Sequence, residues 1–330
     1  IAAPMHVLAG DEGDDALFGC LEDLASGMEA AVADYREIKS EMVSGKSSEA
    51  ATEFDEAVAG FEAEHERVLA GIECLKQDLR ALRAFKYMNE SFQEMGFDKW
   101  RTFQIVFILM TIPDMLKQAD ESGSQVSVSW DDEILNPQLN VADVVYFPTG
   151  GGKTEAYLGL VTFTAFYDRM RGKTHGMTAF TKFPLRFLSL QQLQRIANVL
   201  AKAEEIRRRE ELGGDEFSVG YLVGSGNTPN TLRAGKYTNN IKKAREDEEF
   251  QKSVKYVNTC PFCGEKEVSI DGDLERGRII HQCENPDCEE VKRNDGEPAP
   301  LPVYVTDREI YRYTPTFVVS TIDKISIVGM

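Results

Sequence analysis

Asp143-Val144-Val145-Tyr146-Phe147-Pro148-Thr149-Gly150-Gly151-Gly152-Lys153-Thr154-Glu155 decides how this 330-residue chain is read. The apolar, β-branched and aromatic run 144–147 predicts a short buried strand, which Pro148 ends. Residues 149–152 supply a loop with three consecutive glycines, and Lys153-Thr154 open a long helical pattern. Strand, glycine loop and helix form the context of a phosphate-binding loop. The glycines let backbone N–H groups turn toward an anion without Cβ clashes. A helix N-terminus adds partial positive charge at the same place. Lys153 is expected to reach the β- and γ-phosphates of ATP, and the Thr154 hydroxyl to hold Mg²⁺. Thr149, Gly150, Gly151, Gly152 and Glu155 complete the expected nucleotide set. The competing reading, a glycine turn before an ordinary helix, leaves the agreement of strand, loop, Lys-Thr and helix unexplained.

Outward from the loop, composition sets limits. The length suggests two or three modules, and 42% hydrophobic residues suit a sizeable core. Net charge is −18, and residues 1–100 hold 22 Asp/Glu against 9 Lys/Arg. Most of the acidity therefore lies away from the glycine loop. It argues against nonspecific polyanion binding but leaves room for a local basic groove. No secretory signal is visible, and the longest apolar run, 105–112, is too short to span a bilayer. Cys20 and Cys74 read as isolated core thiols while the other four cysteines cluster, a pattern suited to a reducing cytoplasm with one metal site. Beginning at Ile1 and ending just after a strand-like run, the chain reads as a fragment of a longer protein.

Residues 11–95 carry apolar side chains at three- and four-residue steps, broken at Gly45-Lys46-Ser47-Ser48. This predicts a long antiparallel helix pair with charged outer faces. Gln104 lies in Trp100-Arg101-Thr102-Phe103-Gln104, ahead of an apolar helix 105–116. Its amide can pair with N6 and N7 of adenine, or it is a polar residue on the rim of a core helix. Residues 120–140 read as a loop with a hairpin around Val126-Ser127-Val128. Beyond the loop, a helix from Thr154 stops at Gly172 and strands are expected at 177–183, 217–223 and 316–321. Helices are expected from Pro184 to Leu212 and at 241–253. Strands alternating with helices predict a parallel α/β sheet.

Cys260-Pro261-Phe262-Cys263-Gly264, followed by Cys283 and Cys288, is a four-thiol set in which C-P-x-C-G shapes a knuckle around one ion. Structural Zn²⁺ is the expected occupant, with an iron–sulfur cluster or a disulfide pair as alternatives. His281 is read as facing solvent, with replacement of one cysteine as the other option. The module lies between the third and fourth expected strands, so it is an insertion; it is read as a staple for a loop, with contact to DNA or a partner as the alternative.

The spacing P-T-G-G-G-K-T, with Phe147 where a first glycine usually stands, is similar to the helicase variant of the loop. Pro184-Leu185-Arg186 with Leu188 and Gln191 resembles motif Ia of superfamily 2 helicases. Gly224-Ser225-Gly226 resembles the glycine turn after the third strand, and Ser320-Thr321-Ile322-Asp323-Lys324 resembles motif Ib. At these places Arg186, Gln191, Thr321 and Lys324 are expected to contact a nucleic-acid backbone. Together with Trp100–Gln104 and the glycine loop, the set resembles the DrmA family, the helicase-like proteins of the DISARM anti-phage system, over roughly residues 80–325. The resemblance implies a DNA-binding ATPase acting with a partner protein, DrmB, and a DNA methyltransferase. The implied fold is α/β, a RecA-like P-loop parallel sheet with an N-terminal helical region and a zinc-binding insertion. Its expected divisions are 1–98 helical, 99–226 with 316–330 the first RecA-like domain, and 227–315 the insertion. No Asp-Glu segment follows a hydrophobic strand after Thr321, so this stretch alone is expected to bind nucleotide poorly and hardly to hydrolyse it. An RNA helicase, a restriction-type translocase and a nucleotide-gated scaffold that does not move on DNA are the competing functions.

Overall fold

The computed structural model describes residues 3–123, 142–148, 150–184, 186–224, 238–273, 275–322 and 324. Its internal packing divides the chain into two compact units, 1–167 and 168–330.

The first unit is helical. A two-residue strand β1 (Ala3–Pro4) leads into α1 (Met5–Ala9), followed by α2 (Asp14–Met42), α3 (Ser48–Gln77) and α4 (Leu79–Glu94). A second short strand, β2 (Lys99–Trp100), pairs antiparallel with β1, and α5 (Thr102–Gly123) and α6 (Lys153–Met170) complete the set. Helices α2 and α3 form the expected antiparallel pair. Lys39 meets Asp55, Arg36 meets Glu62 and Lys76 meets Glu22, so residue numbers rise on one helix as they fall on the other. Leu17, Leu21, Leu24, Met28 and Val32 bury the seam of α2, the stripe that a three- and four-residue repeat places on one face.

The second helix of the pair is shorter than its periodicity suggests. The apolar pattern runs on through Leu79 and Leu82, yet the backbone breaks at Asp78 with φ −111° and ψ 106°. The Asp78 carboxylate accepts from the N–H groups of Arg80 at 2.8 Å and Ala81 at 3.4 Å, which makes it the N-cap of a new helix. A side chain that satisfies the first donors of α4 outweighs continuity of the apolar stripe. Helix α5 continues past the expected Leu116 and carries Pro113 inside it. The hairpin expected around Val126 lies outside the described residues.

The expected strand at 144–147 is not formed: residues 142–148 belong to no strand or helix. Val144 is 85% exposed and Tyr146 98% exposed. The segment is fastened by its alternate residues instead. Asp143 accepts from Arg67 at 2.8 Å, and the Phe147 ring stacks on Phe103 with centroids 3.9 Å apart. A strand exists only as a hydrogen-bonded pair, and β-branched composition cannot create one without a neighbouring edge. Among the described residues none pairs with this segment.

The second unit holds the parallel sheet. Strand β3 (Ala179–Phe183) precedes α7 (Arg186–Arg209), and β4 (Val219–Leu222) precedes α8 (Thr238–Glu246) and α9 (Glu248–Val254). An antiparallel ribbon, β5 (Val268–Asp273) and β6 (Arg278–Cys283), is followed by α10 (Glu289–Arg293), β7 (Ala299–Pro300), β8 (Val303–Tyr304), α11 (Asp307–Tyr313) and β9 (Phe317–Thr321). The sheet order is β3-β9-β4-β8, all neighbours parallel, so β9 inserts between strands that precede it in sequence. Every residue of β4 and of β9 is buried, the continuous apolar pattern of a sheet covered on both faces. The ribbon shows the other pattern: Val268 and Ile270 on β5 and Ile279, His281 and Cys283 on β6 are buried at alternate positions. Buried charge ties the ends of helices to the chain that leads into the strands. Glu204, fully buried, accepts from Arg207, Arg208 and the backbone N–H of Phe217. Asp168 accepts from Arg171, Lys173 and Thr178. No helix among the described residues is long and apolar enough to cross a membrane.

Two glycines of α3 make opposite predictions. A Cβ on Gly71 would stand 2.1 Å from the Leu109 carbonyl oxygen, whereas one on Gly60 meets nothing within 4 Å. Alanine gains about 0.5–1 kcal/mol over glycine in a helix, but forcing α3 and α5 apart costs about 1–3 kcal/mol. Gly71→Ala is therefore expected to destabilise and Gly60→Ala to stabilise, measured by urea unfolding. Equal shifts of the same sign would contradict the close approach.

Candidate nucleotide loop and metal centre

The glycine loop sits in the first unit, at the N-terminus of an 18-residue helix that begins with Lys153. Gly150 and Gly152 take φ values of +79° and +90°, the left-handed region that glycine enters without a Cβ penalty. The Gly151 N–H donates to the Pro148 carbonyl at 3.0 Å, closing the turn. Two side chains from the start of α5 hold the loop's carbonyls. Arg101 donates to the Gly151 oxygen at 2.8 Å, and the Gln104 amide donates to the Gly152 oxygen at 2.7 Å. Gln104 is in turn fixed by accepting from the Arg101 N–H at 2.8 Å. The approach is close enough to require glycine, since a Cβ on Gly152 would lie 2.6 Å from the Gln104 nitrogen.

Lys153 folds its ammonium back onto the Phe147 carbonyl. Thr154 hydrogen-bonds Tyr157, whose hydroxyl pKa is nevertheless raised by burial. Glu155 lies beside Gly152, in the first turn of α6. Thr149 lies outside the described residues. Gln104, only 5% exposed, is held by loop and helix backbone, an engagement that the sequence reading did not anticipate. Arg101 carried no expected role either, and its spacing three residues before Gln104 was the available signal.

The residues expected to contact nucleic acid lie in the second unit. Phe183 pairs with Thr321 and Leu222 with Ser320, so β3, β9 and β4 end side by side. Helix α7 opens at Arg186, just past β3; its side chain is outside the described set, as are Ser225 and Gly226. Gln191 is exposed on α7, whereas Thr321 is 6% exposed at the end of β9. Lys324 is 5% exposed and its ammonium lies 2.6 Å from the Asp307 carboxylate. Crevices outside the carboxyl ends of parallel strands are where ligands of such sheets bind.

Cys260, Cys263, Cys283 and Cys288 converge, with all four sulfurs within 4.8 Å of one another. The Cys263 and Cys283 sulfurs are 3.9 Å apart and the cysteines are free thiols. A disulfide needs about 2.05 Å between sulfurs. Four thiolates around one zinc, at about 2.3 Å each, stand about 3.8 Å apart. The cluster therefore fits a single tetrahedral ion. An iron–sulfur cluster would interpose several atoms and spread the ligands. Each pair sits in a turn that aims backbone N–H groups at sulfur: Phe262 and Cys263 toward Cys260, Glu265 toward Cys263, Asn285 toward Cys283. Burial pushes the Cys260 thiol strongly up and the Cys283 thiol to about 11. At Cys263 burial acts in the same sense, but the Glu265 N–H, the Asn285 amide at 3.6 Å and neighbouring thiols bring it below its usual value. Asn285 is a supporting residue that spacing alone did not reveal.

His281 corrects the sequence reading. It is fully buried rather than solvent-facing; its Nε2 accepts from the Tyr256 N–H at 3.1 Å, and it stands outside the sulfur cluster. Position explains this: on β6 it alternates in phase with Ile279 and Cys283, so it points to the covered face. Burial, helped by the nearby Lys255, lowers its pKa to about 4 and keeps the ring neutral. Cys20 and Cys74 are half-buried rather than core thiols, both raised chiefly by burial.

Elemental analysis of the purified chain is expected to find about one zinc per molecule, and Cys260→Ser to lose it. Chelation should expose residues 255–304 to protease while α2–α4 stay protected. Stoichiometric iron, or an unchanged digest after metal removal, would contradict the single-ion staple.

No protein-family model matches the chain. It is 30% identical over 298 residues to the DISARM protein DrmA of Bacillus paralicheniformis, an alignment covering 78% of this chain and 24% of that protein. The chain thus spans about a quarter of the length of the curated relative it matches. By that similarity the chain is DrmA-like.

Proposed function

We propose that this chain belongs to an ATP-driven DNA translocase of superfamily 2 acting in anti-phage defence, and contributes its phosphate-binding loop. The observation that carries the reading is the loop itself. Three glycines lead into the first turn of α6, with two successive carbonyls tied back by Arg101 and Gln104. The remaining support is the parallel sheet and the similarity to DrmA.

On this reading residues 99–226 and 316–330 form a RecA-like domain, 1–98 its helical neighbour and 227–315 an insertion. Lys153 leaves the Phe147 carbonyl to meet the β- and γ-phosphates of ATP, and Thr154 exchanges Tyr157 for Mg²⁺. The amides of Gly152, Lys153 and Thr154 bind phosphate oxygens, and Thr149 and Glu155 are assigned to the same nucleotide. Gln104 retains a second N–H and a second lone pair with which to read adenine. Arg186, Gln191, Thr321 and Lys324 are assigned to contact the DNA backbone, for which Lys324 must exchange Asp307 for a phosphate. Zinc closes the insertion. DNA, the DISARM partner DrmB and a DNA methyltransferase are the partners, in a cytoplasm reducing enough to keep four thiols free.

The full-length protein is expected to hydrolyse ATP faster with DNA than with RNA. Lys153→Ala should lower that turnover at least 100-fold while leaving circular dichroism unchanged. Unaltered turnover would remove the site. Assembly and phage protection that survive in the Lys153→Ala variant would instead favour the nucleotide-gated scaffold.

A further inference from the structure

We infer that Arg101 is a positioning residue for the phosphate-binding loop, setting the direction of its backbone donors without touching the ligand. This rests on the proposed nucleotide site and adds to it the device that shapes the loop.

In a trans peptide the C=O and the following N–H point in opposite directions within one plane. The Gly151 oxygen is held by Arg101 at 2.8 Å and the Gly152 oxygen by Gln104 at 2.7 Å. Anchoring these carbonyls on the α5 side turns the N–H groups of Gly152 and Lys153 to the other side of the loop. Two successive donors aimed one way form a concave anion site. The anchor is built as a unit, because the Arg101 N–H also holds the oxygen of the Gln104 amide at 2.8 Å. The amide is therefore oriented with its nitrogen toward Gly152. Glycine at 152 permits the approach of the Gln104 amide, since a Cβ there would come 2.6 Å from its nitrogen, and glycine at 151 leaves room for the Phe147 ring, 2.3 Å from where its Cβ would stand.

Such a residue acts on ground state and transition state alike, so its loss raises KM and leaves kcat nearly unchanged. The test uses the full-length protein with Arg101→Met, which removes the donors at similar length, and Arg101→Lys, which keeps one. Arg101→Met is expected to raise the KM for ATP about tenfold with kcat within twofold of wild type, and Arg101→Lys to recover part of that loss. Trypsin cleavage after Lys153 without nucleotide is the second readout: it should run at least fivefold faster in Arg101→Met, because an unclasped loop opens more often. Normal KM and unchanged cleavage in Arg101→Met would overturn the assignment while the nucleotide site stands. If the wild-type protein shows no affinity for ATP, the nucleotide site falls, and faster cleavage in Arg101→Met would still establish the clasp.

Discussion

The second unit depends on one insertion. Strand β9 lies between β3 and β4, pairing with both, although the chain from 223 to 316 intervenes between β4 and β9. All five of its residues are buried, so the sheet has no centre until that segment returns. Closing so long an excursion costs conformational entropy that grows only slowly with length. The chain reduces the remaining freedom by giving the excursion its own order. The cysteine cluster joins residues 260–263 to 283–288 and the ribbon β5–β6 pairs Val268 with Cys283. The last stretch, β8, then docks on β4 before α11 turns the chain into β9. The insertion is thus a folded connector whose ends are set by the sheet.

The connector is also joined to the sheet's helix by charge. Arg208 of α7 bonds both oxygens of Glu290, at 2.7 and 2.8 Å, while its Nε donates to the buried Glu204. Glu204 in turn accepts from Arg207 and from the N–H of Phe217, immediately ahead of β4. One Arg208 nitrogen, Nη1, bridges both Glu290 oxygens, a charge-assisted contact stronger than a neutral hydrogen bond. A buried carboxylate that lost these donors would keep its full desolvation cost, so the network holds as a unit. Arg278 plays a similar part nearer β9. It pairs with Glu309 at 2.9 Å and lies over the rings of Tyr304 and Tyr313. Glu309 completes a capping box with Thr306, so the same carboxylate starts α11 and anchors β6.

Where the sequence was legible, the signal was local. The apolar repeat of α2, the Gly172 stop, the strands near 179–183 and 317–321 and the four-cysteine spacing each follow from one segment's chemistry. The errors came from quantities that no segment carries alone. Residues 144–147 have strand composition, yet extended chain becomes a strand only opposite a free edge. Asp78 broke a continuous apolar stripe because a cap competes with periodicity, and its place before Leu79-Arg80-Ala81 was readable. The ribbon β5–β6 was missed although Val268, Ile270, Ile279 and His281 alternate. Reading that alternation would also have placed His281 on the covered face. The engagement of Lys324 by Asp307 joins residues 17 apart and had no local signature.

The glycine loop shows the same division between local and distant information. Its three glycines announce a backbone free to turn, but freedom is not direction. What gives direction is a pair of side chains about 50 residues upstream, Arg101 and Gln104, at the start of a different helix. A glycine-rich loop left to itself samples many peptide orientations and loses more conformational entropy on ordering than any other sequence. Fixing two carbonyls before a ligand arrives lowers that loss at the moment of binding, which is the physical meaning of preorganisation. Gly152 lets the Gln104 amide come close enough to grip the backbone, and the grip turns a flexible turn into one of fixed direction.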